Sequence, residues 1–280
     1  MIIVIQGLGE MGASLASALS QRVENHVIGI DNQLLSRQYA MANNIVDETA
    51  TSLADVVSRA EVIILATPIA VIKQTLKQLA VLPLKPNVII TDTGSTKSEI
   101  MSLAEAFVPK TATFIGGHAM AGTQNSGVSA ANSDLYREVP YFLVTKHAPK
   151  ETVIKLQSIL APIAARFIEI DAQQHDELVS WISDVPHIVS FALMNAIMQH
   201  FHSVSDFGPY VAGGFKDTTR IAASNPEVWR DILLSNKAAI LSSNQDLIDE
   251  LHRFNQVLRQ NDSLGLEKLI TQAQHARQQL

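Results

Sequence analysis

The sequence predicts an α/β fold: a doubly wound parallel sheet in the first part of the chain, followed by an all-helical part. Three observations predict it. Short β-branched apolar runs alternate with helical patterns as far as about residue 170. Those runs are nearly continuous in apolar residues, as strands buried on both faces require. After about Asp171 such runs stop and only helical patterns follow. Strand alternating with helix gives a parallel sheet covered on both sides, so two domains are expected, 1–170 and 171–280.

Taken in order, strands are expected at Ile2 to Ile5, Val27 to Ile30, Val62 to Ala66, Val88 to Thr91, Thr113 to Ile115 and Tyr141 to Val144. Helical patterns lie between them at Gly12 to Ser20, Leu53 to Arg59 and Ile69 to Leu79, and a further one spans Glu151 to Leu160. A strand at Arg166 to Ile170 closes the first domain. The second half opens on a long helical pattern, His175 to His202. Pro186 sits inside it, where a missing N–H and the ring predict a kink or break. Asn225-Pro226-Glu227 is a strong helix start: Asn as cap, Pro at the first position, Glu facing the dipole. Helices then cover Leu241 to Arg259 and the segment after Asp262-Ser263. No Gly/Ser-rich linker separates the halves, so they are expected to pack directly on one another.

Composition removes several classes of function. Of 280 residues, 47% are apolar and 17% charged, which describes a packed globular chain. A net charge of −6 with no dense Lys/Arg cluster argues against a nucleic-acid partner. The absence of cysteine excludes disulfides, thiolate metal sites and a thiol nucleophile, and no metal site is expected. The N-terminus runs straight into Ile2-Ile3-Val4-Ile5 with no basic leader. The longest apolar stretches, Val62 to Ile72 and Ile188 to Met198, are about half a membrane span. A soluble, cytoplasmic protein with no membrane partner is expected.

Gly7-Leu8-Gly9-Glu10-Met11-Gly12 fits G-x-G-x-x-G between a β-run and a helix, the context that gives the motif meaning. Its glycines permit a tight turn, close approach to a pyrophosphate and close helix–strand packing, with the phosphates on the helix dipole. Asp31 ends the second run, placed to accept hydrogen bonds from ribose hydroxyls and to repel a 2′-phosphate. The expected cofactor is therefore NAD; Arg37 stands too far along to read as a phosphate clamp. Thr67-Pro68 and the segment Asp92 to Lys97 follow the third and fourth runs, at strand ends where ligands bind in such sheets. The Ser95 hydroxyl is expected to reach substrate or nicotinamide, although Ser95 and Thr96 both also read as helix caps.

Gly116-Gly117-His118-Ala119-Met120-Ala121-Gly122-Thr123 follows the fifth run, and is expected to be an exposed loop. Oxidising a carbinol needs a base for the hydroxyl proton, and an imidazole titrating near neutrality suits that task. His118 opposite a dinucleotide site is the candidate base. In the second half, Ser183 and His187 are four apart and share a helix face, with His175 on roughly the same side. Such a polar stripe in an apolar helix must face a pocket, a partner or buried water. Arg220 offers a guanidinium fork for a carboxylate, with Asp217 placed to pair with it or with Lys216. Trp229 reads equally as pocket wall and helix core.

These motifs together resemble prephenate dehydrogenases. The resemblance rests on Gly7-x-Gly9-x-x-Gly12, Asp92-x-Gly94-Ser95-x-Lys97, Gly117-His118-x-Met120-Ala121-Gly122, Ser183-x-x-Pro186-His187 and Gly214-Phe215-x-Asp217-x-Thr219-Arg220-Ile221-Ala222. It implies a Rossmann domain followed by a helical dimerisation domain, and a homodimer. It also implies oxidative decarboxylation of prephenate to 4-hydroxyphenylpyruvate with NAD, on the route to tyrosine. By the same resemblance His118 and Ser95 are catalytic, and His187, Arg220, Ser183, His175, Thr123, Gln124 and Lys216 form the substrate pocket. Three positions depart from the family pattern: Ala119 where Pro is usual, Asp184 where a second His is often found, and Gln124 where some relatives carry an acid. Gln124 leans towards prephenate over arogenate, whose ammonium an acid would favour, while Asp184 and Asp217 remain able to supply that charge. A β-hydroxyacid dehydrogenase would place a catalytic Lys on a long helix, and His175 to His202 contains none. A silent NAD-sensing protein would not need His118, Ser95, His187 and Arg220 together.

Overall fold

The computed structural model describes residues 1–123 and 125–280. Eight strands form one sheet: β1 (Ile2–Gln6), β2 (His26–Ile30), β3 (Glu48–Ala50), β4 (Val62–Leu65), β5 (Ile89–Asp92), β6 (Thr113–Ala119), β7 (Pro140–Val144) and β8 (Arg166–Glu169). Their order is β3-β2-β1-β4-β5-β6-β7-β8. All neighbours are parallel except β6 and β7. The chain order reverses between β1 and β4, which opens a crevice at their carboxyl ends.

Period-2 geometry explains the continuous apolar runs. Ile3, Ile5, Val27, Val62 and Ile64 feed one core, under α1 (Glu10–Leu19) and, further along, α5 (Lys150–Leu160). The alternate residues Val4, Ile28, Ile63 and Leu65 feed the other, under α3 (Ile69–Leu79) and α4 (Ser98–Phe107). Both faces are dry, so neither needs a polar residue. The expected strands are all present. Four features escaped the sequence pattern. The edge strand β3 is only Glu-Thr-Ala, and α2 (Leu34–Ala42) buries a single residue, Ala40. The antiparallel β7 has the same composition as a parallel strand. Leu53–Asp55 is a single 3-10 turn rather than the helix expected to Arg59.

In the second half, α6 (Ala172–Val179) passes through a π turn (Ser180–Asp184) into α7 (Val185–Phe201). The predicted break at Pro186 is absent, because the proline lies in the first turn after the π segment, where its missing N–H costs little. By length and composition the 30-residue run Ala172–Phe201 is apolar enough to cross a membrane, so it exceeds the half-span read from its longest unbroken apolar stretch. Next come α8 (Val204–Phe207), α9 (Gly213–Thr219), α10 (Pro226–Ser235), α11 (Lys237–Arg259) and α12 (Ser263–Arg277). The Asn225 side chain caps α10, accepting from the Glu227 and Val228 amides. Segment 213–217 is helical. Large apolar side chains stay exposed on this half, among them Trp181, Ile182, Phe201, Leu241 and Leu251. Its helices bury one face against each other and the sheet domain, and leave another uncovered.

Candidate active site

The dinucleotide loop is shaped by contacts that only glycine allows. Gly7 has φ of +99°, and a Cβ there would lie 2.4 Å from the Ala66 carbonyl oxygen. A Cβ on Gly12 would lie 1.9 Å from the Gly7 carbonyl oxygen, so α1 meets β1 as closely as backbone permits. Gly9 has nothing within 4 Å of its Cβ position, leaving room above the helix. No side chain caps α1, and its first-turn N–H groups face that space. Asp31 accepts from the Leu8 amide at 2.9 Å and the Gln33 amide at 2.8 Å, which fixes its carboxylate at the end of β2. Arg37, expected to stand too far along, folds back to donate to the Asp31 carbonyl at 2.6 Å. The buried Thr67 hydroxyl and Gln6 amide oxygen at the same crevice have no protein partner among the described residues. A dinucleotide fits this arrangement.

His118 lies on β6 rather than on an exposed loop, and is 8% exposed. Gly117 makes that possible: a Cβ there would come within 2.4 Å of the Asp92 carbonyl oxygen, so β6 can press against β5. A fully buried ion pair grips the same residue. Asp92 accepts from the Gly117 amide at 3.0 Å, and Lys97 donates to the Gly117 carbonyl at 2.7 Å and to the Asp92 carboxylate. Asp92 therefore holds the strand rather than facing cofactor. Its predicted cofactor role is corrected by its complete burial.

Behind His118 runs a chain of hydrogen bonds. His118 Nδ1 lies 2.8 Å from His175 Nε2, and His175 Nδ1 lies 2.8 Å from Asp176 Oδ1. Asp176 also accepts from the Lys97 and Ser98 amides at 2.7 and 2.8 Å, capping α4 from another helix. Neither Ser95 nor Thr96 is the cap. Burial alone would raise the Asp176 carboxyl; the His175 ring, Ser98 and the Lys97 amide hold it below its ordinary value. A carboxylate can only accept, so His175 carries its proton on Nδ1 and presents a lone pair at Nε2. His118 must then donate from Nδ1, which leaves its own Nε2 unprotonated. Burial, then His175 and Lys97, push the His118 imidazole well below the ordinary histidine range. Burial also lowers His175 against the pull of Asp176. The result is a neutral His118 whose free nitrogen accepts a proton. His175 is itself 0% exposed, so its predicted place in the substrate pocket is corrected: it stands behind His118 and touches no open space.

The rest of the polar stripe goes elsewhere, because the π turn rotates the helix between His175 and His187. His187 Nδ1 donates to the Ser183 carbonyl at 2.9 Å, and its ring stacks on Trp229 with centroids 3.4 Å apart. Burial, with the nearby Arg220 charge, holds His187 below its ordinary value against the Ser183 bond, which raises it, and this places Arg220 beside it. Trp229 also walls an open cavity of about 530 Å³ with Phe191, Ser224 and Leu233. Lys216, Asp217 and Arg220 are exposed, and no ion pair joins them among the described residues, so the expected Asp217 pairing is not made. Half-buried Ser95 has no hydrogen-bond partner among the described residues. Glu10 turns its carboxylate away from the cofactor space to Thr123. Gln124 lies outside the described residues.

Sequence reasoning missed Asp176, Lys97 as a buried anchor, and Asn236. Asn236 donates to the Asp176 carbonyl and to Asp184, each at 2.8 Å. Asp184 is fully buried there, its carboxyl pushed up to about 6 mainly by that burial. It does not face a ligand. The adjacent His175-Asp176 pair in an apolar helix was the one signal available for the relay.

Residues 15–169 match the family model described as prephenate dehydrogenase, nucleotide-binding domain, and residues 171–272 match prephenate dehydrogenase, dimerization domain. The prephenate dehydrogenase of Bacillus subtilis is 36% identical over 272 residues, covering 94% of this chain and 72% of that protein. The crystal structure of Synechocystis arogenate dehydrogenase superposes with a TM-score of 0.86 at 32% identity, covering 100% of this chain and 99% of that one. The A. aeolicus prephenate dehydrogenase, solved in complex with hydroxyphenyl propionate and NAD+, gives 0.91 at 28% identity, covering 100% and 98%. With both halves of the chain matched in sequence and the whole of it in structure, this protein belongs to the prephenate dehydrogenase family.

Proposed function

We propose that the protein oxidises and decarboxylates prephenate to 4-hydroxyphenylpyruvate, with NAD as hydride acceptor. The observation that carries this reading is the Asp176–His175–His118 relay, which leaves a neutral imidazole nitrogen facing outward from β6. The NAD cofactor supplies a hydride acceptor, held by the loop Gly7 to Gly12 with Asp31 on the ribose and Thr67-Pro68 bordering the crevice. His118 Nε2 accepts the proton of the ring hydroxyl, and Ser95 orients that hydroxyl. With the hydroxyl carbon oxidised, the ring loses its carboxylate as carbon dioxide and becomes aromatic, which makes the step irreversible. The protein's contribution is position and polarity.

Arg220 and His187 hold the side-chain carboxylate and carbonyl, with Ser183, Thr123 and Lys216 completing the pocket. Arg220→Ala is expected to raise KM for substrate at least about tenfold while kcat changes little, the signature of binding lost equally in ground and transition state. An unchanged KM in steady-state assays would place the carboxylate on another cation. The pH profile follows from the relay. A base works only when unprotonated, so kcat/KM falls as pH drops through the His118 pKa. Because that pKa is depressed, the acid limb should lie below about 6.5, the ordinary histidine value. An acid limb above it would refute the relay.

The uncovered apolar face of the helical half fits a second copy of the chain, giving a cytoplasmic homodimer, and we place the domain boundary at residue 170. A second reading, arogenate as substrate, is favoured by exposed Asp217, free to meet an ammonium near Arg220. Following NADH formation with prephenate and arogenate, each with NAD and NADP, tests both. Turnover of prephenate with NAD is the expected result; turnover of neither, with NAD bound, would overturn the assignment.

A further inference from the structure

The segment that follows His118 does not hang free over the crevice. Thr123, Asn132 and Tyr136 are each fastened to the first turns of α1. Thr123 donates from its amide, at 3.0 Å, and from its hydroxyl to the Glu10 carboxylate. Asn132 donates from its amide to the Ser14 hydroxyl at 3.0 Å, and Tyr136 donates to the Met11 carbonyl at 2.8 Å. Only the first of these involves a charge, and it lies nearest the dinucleotide loop. Glu10 is 9% exposed although it is the first residue of α1, because Thr123 covers it. Gly122, with φ of +116°, turns the chain so that its Cβ position comes 4.0 Å from the same carboxylate.

Glu10 thus faces two ways. Its backbone N–H is one of the unsatisfied donors of the α1 first turn, which a pyrophosphate satisfies. Its side chain holds the loop that leads from His118 towards the substrate. We propose that Glu10 is a positioning residue that couples the two sites: dinucleotide binding orders the α1 turn, and the Glu10 carboxylate passes that order to Thr123 and the substrate loop. This rests on the dinucleotide and substrate reading above. Reciprocity requires that substrate then tighten the dinucleotide by the same factor.

The test is a calorimetric titration of the full chain with NAD and with hydroxyphenyl propionate, each alone and each with the other saturating. Wild type should show a coupling factor within about 5 to 150. In Glu10→Ala this factor should fall towards one, with NAD affinity in the absence of the second ligand unchanged within about twofold and KM for substrate raised more than kcat is lowered. Glu10→Gln, which still accepts from the Thr123 amide, should restore most of it. Ser14→Ala breaks the neighbouring fastening without touching Glu10's carboxylate, and should lower thermal stability but leave the coupling. Thr123→Val, at an exposed position, carries the test should Glu10→Ala not fold; it should lower the coupling in part. Coupling that survives in both variants, or NAD affinity that falls by the same factor in Glu10→Ala, overturns the proposal while leaving the enzyme assignment intact. Wild type that binds NAD but not hydroxyphenyl propionate overturns the substrate reading and this coupling with it.

Discussion

Replacing His118 by asparagine is expected to lower kcat by about 10²- to 10⁴-fold, the range that removal of a general base produces. The substitution is chosen for what it keeps. Asparagine still offers an amide N–H towards His175 Nε2, so the hydrogen bond that ends the relay has a donor and no buried acceptor is orphaned. What disappears is the basic nitrogen. The NAD dissociation constant should stay within about twofold, because the dinucleotide contacts proposed above come from α1, β2 and the loop after β4, not from β6. Rapid-mixing measurement of NADH formation in a single turnover separates the chemical step from product release. A variant whose single-turnover rate stays near wild type would show that the proton leaves by another route, and the relay would then be a structural contact only.

The fold was legible because its signal is repetitive. Seven strands announced themselves by continuous β-branched apolar runs, since a strand covered on both faces has no polar positions to blur it. Glu48–Ala50 gave no such signal because an edge strand of three residues packs too little. The reversal of β7 was invisible for a different reason: strand direction is set by where the connection returns, not by side-chain composition. At the site, the local motif Gly7 to Gly12 and Asp31 lie at the carboxyl ends of β1 and β2, where their sequence context put them. The residues read from helical periodicity do not share one face. A single π turn between His175 and His187 adds a residue to the ring of hydrogen bonds and rotates everything beyond it. One histidine therefore meets His118 and the other meets Trp229. The links from Asp176 to Lys97 and Ser98 cross nearly eighty positions, and no local pattern reports a bond of that kind. Arg37 carried the same lesson at shorter range, since a side chain in the first turn of α2 still reaches back six positions to the residue that ends the preceding strand run.

The largest effect on stability should come from Lys97. Its side chain and that of Asp92 are both 0% exposed, and between them they hold both polar groups of Gly117. Lys97→Met keeps the length and removes the charge, leaving Asp92 buried against nothing positive. A loss of about 3–5 kcal/mol is expected, since breaking one partner of a buried pair strands the other. Urea unfolding followed by circular dichroism measures it. The double variant Lys97→Met with Asp92→Leu separates charge from strand placement. If the penalty is the stranded carboxylate, the double variant should recover most of the lost stability, because an apolar pair can replace a buried ion pair at little net cost. Its activity should stay low all the same: Gly117 loses both its grips, and the neighbouring His118 no longer sits where His175 can orient it. Recovery of stability without activity would assign the pair to placing the base. A double variant as unstable as the single one would instead mean that the hydrogen bonds to Gly117, not the stranded charge, hold this end of β6.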